Sequence, residues 1–240
     1  MRHAAFATPY FDAVRAELAA LDGGGGLEDL NAIAIERGSR VRFVPAHSGL
    51  SGMSYEIAID ATGEVPTRDN AHDFFNALQW LAFPRLKSAI NAGHLRHHVS
   101  GGRLRSKQRD ALTMFDESGV LVASEDASLL MLLREFRWKA LFVDRRADVI
   151  ANMQFNLVGH GLMERSLTPF IGLTGKAILL NIPKDASLDA ASSAWIDDDA
   201  NLSSTNNLAP LPLLGIPGWD ERNESPDFYD NVEYFRPGRR

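Results

Sequence analysis

The chain has 240 residues, 45% hydrophobic and 23% charged, with a formal net charge of −6; this is apolar mass enough for one substantial core, and the negative balance excludes general coating of nucleic acid. Cysteine is absent, which excludes disulfides, thiolate metal ligands and a cysteine nucleophile. No run approaches the ~20 apolar residues of a membrane span and the broken apolar opening MRHAAFATPYFDAVRAEL lacks the continuous stretch of a secretory signal, so a cytoplasmic protein with no membrane partner is expected.

Taken in chain order, Phe11, Val14, Leu18 and Leu21 recur at helical spacing and predict a helix over 9–21 with Pro9 in its first turn. Gly23–Gly26 read as a flexible joint, and 27–35 as a second short helix. The β-branched and aromatic content of Val41–Val44 and Tyr55–Asp60 predicts two strands, with Thr62-Gly63 as a turn. His47 precedes the His72-Asp73 pair as a lone His does in the all-helical HD phosphohydrolases, but two strand-like runs beside it argue against that fold.

Residues 64–117 carry the densest polar chemistry. Asn70 to Ala82 predicts an amphipathic helix capped by Thr67, Asp69 or Asn70 and ended near Phe83 by Pro84. Phe74, Phe75, Ala77, Leu78 and Leu81 form its apolar arc, and Asp69, His72, Asp73, Asn76 and Gln79 a polar stripe on which His72 and Asn76 stack one turn apart. From Phe74 to Arg109 there is no Asp or Glu, while Arg85, Lys87, Arg96, Arg103, Arg105, Lys107 and Arg109 supply seven positive charges, with His94, His97 and His98 beside them. A basic run in an acidic chain marks a resting place for an anion, or else a solvated loop paired with acids elsewhere.

Further on, Leu112–Phe115 and Val120–Val122 flank Asp116-Glu117-Ser118-Gly119 and predict a β-hairpin with two carboxylates at its tip. Ser124 would cap a helix over 126–136, and Ala140–Val143 reads as a buried strand. Residues 147–165 predict a second long helix on which Asn152, Asn156, His160 and Glu164 follow every four residues, with Gly159 and Gly161 tolerated at a cost of ~1 kcal/mol each. Leu173-Thr174-Gly175-Lys176 is no phosphate loop, because Phe170 and Ala177 stand where glycine and a hydroxyl residue are required, although Lys176 can still reach an anion. Residues 177–182 read as a strand. From Pro183 onward, six of eleven prolines and a polar patch over 192–207 predict an irregular extension, residues 183–240, packed on a core of residues 1–182 and anchored by Trp219, Phe228, Tyr229, Tyr234 and Phe235.

The fold expected is α+β: a small, mostly antiparallel sheet packed with several helices and a long proline-rich C-terminal wrap. The function expected is a metal-assisted hydrolase acting on a small anionic, phosphorylated or carboxylated, substrate. His72, Asp73, His160 and Glu164 would hold a divalent metal (Zn, Mn or Mg), and His72, Asp73, Asp116 and Glu117 would serve catalysis. Arg68, Asn76, Arg85, Lys87, Arg109 and Lys176 would hold the substrate. One alternative is a nucleotide or single-stranded nucleic-acid binding module using the basic 85–109 segment with Trp80 or Phe83 for stacking. Another is a non-catalytic structural or partner-binding protein whose polar lines form an internal hydrogen-bond network.

The segments VPTRDNAHDFFNALQWLAFPRLKSAIN, RDALTMFDESG, GHGLMERSLTP, LTGKA, LPLLGIPGW, NESPDFYDN and YFRPGR together resemble the bacterial family known as domain of unknown function 3025, from about residue 50 to the end. The resemblance implies that the polar positions belong to one shared pattern, and it implies no activity.

Overall fold

A computed structural model describes residues 4–21, 24–46, 54–97 and 106–238. His47, Gly23, His98, Arg103 and Arg105 lie outside them. Among the described residues the architecture is α+β, with a parallel pair β1 (Arg42–Pro45) and β2 (Glu64–Thr67) and a four-stranded sheet in the order β4-β3-β5-β6. These are β3 (Gly119–Ser124), β4 (Met153–Leu157), β5 (Thr174–Asn181) and β6 (Ala209–Pro212). The sheet is antiparallel at its two outer ladders and parallel at the central one, where Gly119 faces Lys176 and Ser124 faces Asn181.

β3 is buried along its whole length, so its apolar run is continuous rather than alternating. Its side chains still alternate between faces: Val120 and Val122 join one apolar cluster, Leu121 and Ala123 another. The first cluster includes α4 (Ala71–Ala82) and α7 (Ala127–Arg134), while the second is covered by α5 (Pro84–Arg96), α6 (Lys107–Ser118) and α10 (Leu188–Asp197).

After a short 3-10 helix over Ala4–Ala7, the helix expected over 9–21 opens as 3-10 over Pro9–Val14 and becomes α1 (Arg15–Ala20), with Tyr10, Phe11 and Val14 buried; α2 (Leu27–Glu36) follows close to its expected bounds. Helix α4 begins where the sequence placed it: Asn70 is the cap and accepts the Asp73 N–H at 2.8 Å.

Several expectations are overturned. Residues 55–60 are not a strand but part of helix α3 (Tyr55–Thr62), and Gly63, at φ 70°, is its left-handed C-cap. The hairpin over 112–122 does not exist. Ser106 caps α6 by accepting the Arg109 N–H at 3.2 Å, the buried Ala111, Leu112 and Phe115 share one helical face, and Asp116 and Glu117 fall in the last turn. The segment 140–143 is a π-helical turn, Ala140–Asp144, rather than a strand. The cap of α7 is Asp126 rather than Ser124.

The long helix over 147–165 is three elements: α8 (Arg146–Asn152), β4 and α9 (His160–Arg165). Gly159 explains the break. Its N–H donates to Gly119 O at 2.9 Å, and a Cβ there would stand 2.3 Å from Gly119 N, so the two backbones meet only because no side chain intervenes.

The carboxyl-terminal region is more regular than expected, since residues 188–197 of the supposed polar extension form α10 on α5, and β6 completes the sheet. Tyr229, Tyr234 and Phe235 are buried in the first cluster. The Tyr234 hydroxyl donates to Leu173 O at 2.7 Å and accepts from Leu214 N at 3.0 Å. No helix among the described residues is long and apolar enough to cross a membrane.

Removing that hydroxyl leaves the buried Leu214 N–H without its acceptor, while Leu173 O keeps the Leu213 N–H at 3.1 Å, so Tyr234→Phe is expected to lower stability by about 1–3 kcal/mol. Urea unfolding should show a lower midpoint at unchanged slope.

Candidate functional site

The polar side of α4 faces α9 and the end of α6. Gln79, expected on the polar stripe, is instead fully buried and ties these elements together, its amide reaching Leu157 O at 3.3 Å and Met163 Sδ at 3.1 Å. One and two turns back along α4, Asn76 and His72 face the same way. The His72 ring meets that of His160 edge-on, with centroids 4.5 Å apart and the two Nε2 atoms 3.0 Å apart.

Glu117 Oε1 lies 3.7 Å from His72 Nε2 and 3.5 Å from His160 Nε2. This close approach depends on Gly161, where a Cβ would stand 2.3 Å from Glu117 Oε2. Behind the rings stand two more carboxylates. Glu164 Oε2 is 3.1 Å from His72 Nδ1, and Asp116 Oδ2 is 3.8 Å from the buried His160 Nδ1.

Asp116 is held in turn by Lys87, whose side chain is only 4% exposed. The ammonium bonds Asp116 Oδ1, donates to Asn76 Oδ1 at 2.8 Å and lies 5.5 Å over the Trp80 ring. The Asn76 amide donates onward to the Tyr55 hydroxyl at 2.9 Å. Burial pushes the Asp116 carboxyl up, but the charges of Lys87 and His160 outweigh it and hold the group below its ordinary value. For Glu117 the His160 imidazole is the largest influence and, against burial, also holds the carboxyl low. Burial pushes the Tyr55 phenol well up.

The proton count at the two rings is informative. Two neutral imidazoles carry two N–H protons among four ring nitrogens. Here one Nδ1 faces Glu164, the other faces Asp116, and the two Nε2 atoms face each other beside Glu117. If both Nδ1 atoms carry their protons toward the carboxylates, two lone pairs and a carboxylate oxygen converge on one point. A cation at that point removes the conflict.

The expected site residues thus divide. His72, His160, Glu117, Glu164, Asp116, Asn76 and Lys87 come together. Asp73 turns away, its carboxylate taking the Arg68 backbone N–H at 2.7 Å and guanidinium nitrogens at 3.0 and 2.9 Å, so neither residue belongs to the cluster. Those Arg68 bonds hold the Asp73 carboxyl below its ordinary value despite the opposing push of burial. Glu164 lies on the His72 nitrogen opposite the shared point, outside the group of ligand-type atoms formed by His72, His160 and Glu117. Arg109 pairs with Glu56 at 3.5 Å, Arg85 lines a different hollow, and Lys176 lies on β5 in register with Gly119 and Pro210.

A hollow of about 170 Å³ adjoins the cluster, and its walls include Tyr55, Glu56, Asn91, His94 and Thr113, none of which the sequence reading singled out as a site residue. A signal existed in α5. Lys87, Asn91 and His94 recur at i, i+4 and i+7, and all three are buried.

The model of a family described as a protein of unknown function (DUF3025) matches residues 41–239. The chain belongs to this family. Every residue of the cluster and of the adjoining hollow falls inside the matched span. Comparison with curated proteins and with solved structures finds no match.

Because Lys87 is buried and Asp116 is its acid partner, Asp116→Ala would leave a buried ammonium without a counter-charge and is expected to cost about 3–5 kcal/mol. The double variant Lys87→Met, Asp116→Ala should recover most of that loss in urea unfolding, and additive losses would contradict the coupling.

Proposed function

We propose that His72, His160 and Glu117 bind a divalent metal ion and that the centre performs metal-assisted hydrolysis of a small polar substrate. The supporting observation is a triangle. Its sides are 3.0, 3.5 and 3.7 Å between His72 Nε2, His160 Nε2 and Glu117 Oε1, and the circle through these atoms has a radius of about 2.0 Å, the length of a Zn–N or Zn–O bond. An ion at or just off its centre meets all three ligands without moving them. Two nitrogens and one oxygen suit Zn²⁺ or Mn²⁺ better than Mg²⁺, which prefers an all-oxygen shell.

Charge supports the same reading. Asp116, Glu117 and Glu164 set three negative charges around two neutral rings, and Lys87 offsets one of them. A dication balances the remainder. Glu164, at 3.1 Å from His72 Nδ1, then does for His72 what a carboxylate does behind many metal-bound imidazoles: it fixes the Nδ1–H tautomer and aims Nε2 inward, while Asp116, 3.8 Å from His160 Nδ1, acts on His160 through its charge. When bound, such an ion polarises a substrate oxygen and lowers the pKa of a water it holds. Glu164, partly exposed beside His72, is placed to take up a proton from that side.

An anionic substrate has less support than a small polar one. Lys87 and Arg109 are engaged by Asp116 and Glu56, and Arg68 and Arg85 are elsewhere. The nucleic-acid reading loses its stacking platform, since Trp80 and Phe83 are 2% and 7% exposed. Arg96 and His97 in the same run are paired with Asp197 and Asp199.

Zn²⁺ or Mn²⁺ at a hundredfold excess over its Kd should stabilise the chain by about 2.7 kcal/mol, a rise of about 5–10 °C in Tm. His72→Ala and His160→Ala should abolish the rise, and an unmoved Tm with no metal in elemental analysis of the pure protein would remove this reading. Gly161→Ala separates affinity from stability. It is expected to gain up to ~1 kcal/mol of helix propensity while displacing the Glu117 carboxylate and weakening metal binding at least tenfold, read by competition with a chromogenic chelator. Hydrolysis of p-nitrophenyl esters and phosphates should follow metal occupancy across the same variants.

A further inference from the structure

Trp80 is a wall of two hollows: the small one beside the cluster and a larger one of about 580 Å³. The larger hollow gathers three arginines from separate elements. Arg37 follows α2, Arg40 precedes β1, and Arg85 lies in the first turn of α5. Their roles differ. The Arg37 guanidinium is spent on Glu17, which is buried, and on Leu81 O. The guanidiniums of Arg40 and Arg85 have no carboxylate or other hydrogen-bond acceptor among the described residues, and both residues are exposed. The acid on this lining, Asp197, is engaged by Arg96 at 3.3 Å.

The hollow therefore presents two uncommitted guanidiniums against one acid, the half-exposed Asp197, of which Arg96 holds one carboxylate oxygen. Ser39, Ser88 and Ser193 add hydroxyls, while Val41, Leu81 and Ala92 supply an apolar wall. Its volume lies within the roughly 300–1,000 Å³ of sites that enclose a small organic molecule.

We propose that this hollow binds a phosphorylated small molecule, with Arg40 and Arg85 on the phosphate and the apolar wall against the organic body. The chain itself shows why a carboxylate is the poorer fit. One guanidinium saturates both oxygens of a carboxylate, as Arg68 does with Asp73. Two free guanidiniums, with five N–H donors each, match a dianion with three outer oxygens. The site is independent of the metal reading, because it shares only the Trp80 wall with the hollow beside the cluster.

The test is calorimetric titration of the full chain, stripped of metal with a chelator and then desalted, against adenosine 5′-monophosphate, glucose 6-phosphate and inorganic phosphate, with adenosine as the uncharged control. Stripping keeps phosphate–metal contacts out of the measurement, so failure here leaves the metal proposal standing and the converse also holds. At least one organic phosphate should bind saturably and more tightly than inorganic phosphate, adenosine should not bind, and affinity should fall with added salt. Arg40→Gln and Arg85→Gln should each cost about tenfold, the factor for one lost charge-assisted hydrogen bond. Both side chains are exposed, so the melting temperature of each free variant should match the parent and certify the fold. Three results overturn the proposal: no phosphate binds, organic phosphates bind no better than inorganic phosphate or adenosine, or affinity survives the double substitution.

Discussion

The contact on which the molecule turns is the one between the backbones of Gly119 and Gly159. It brings the end of α6 and the start of α9 close enough for the Gly159 N–H to reach Gly119 O at 2.9 Å. Any side chain at Gly159 would strike the backbone at Ser118 and Gly119. Two acids sit immediately before that junction and a histidine immediately after it, so closing the backbone also assembles Asp116, Glu117 and His160. The antiparallel ladder of β3 with β4 then fixes the distance, because both strands run directly into the junction.

What α4 adds is a second histidine at controlled depth. Its apolar face packs in the first cluster through Phe75, Leu78 and Leu81, and Gln79 pins it to Leu157 and Met163. Rotation about the helix axis is thereby fixed, and His72 has one direction left to point. The same rotation carries Asp73 away toward Arg68, although the two residues are adjacent in sequence. Neighbours on a helix differ by about 100°, so one polar pair can serve two unrelated purposes.

Electrostatics gives the assembly its cost and its direction. A buried ammonium and carboxylate lose hydration worth several kcal/mol each, and their mutual attraction returns this only when the remaining donors are also satisfied. Lys87 meets that condition through Asn76, and Asn76 passes the constraint on to Tyr55. Such a chain adds little net stability for its size, and its effect is positional: it holds Asp116 ionised against His160. Trp80 marks the edge of this chain, and beyond it the arginines meet a different hollow with a different charge balance.

The sequence by itself determined the amphipathic helices α2, α4 and α7, the start of α4 at one of its capping residues, the strands β1 and β5, and the anchoring of the last aromatic residues, because each is written in local periodicity, a capping residue or burial preference. It also marked His72, His160, Asp116, Glu117, Asn76 and Lys87 as chemistry-bearing. The tertiary structure alone decided that Tyr55–Thr62 and Lys107–Ser118 are helices, since short apolar runs fit either period until packing selects one. It alone decided that His160 and Glu164 start a new short helix after a strand, that Glu117 faces both imidazoles while Glu164 stands behind one, and that Arg85 joins Arg37 and Arg40 rather than the cluster. Those outcomes depend on close backbone approach and on contacts between residues 20 to 100 positions apart, and a period of two or 3.6 residues carries no record of such contacts.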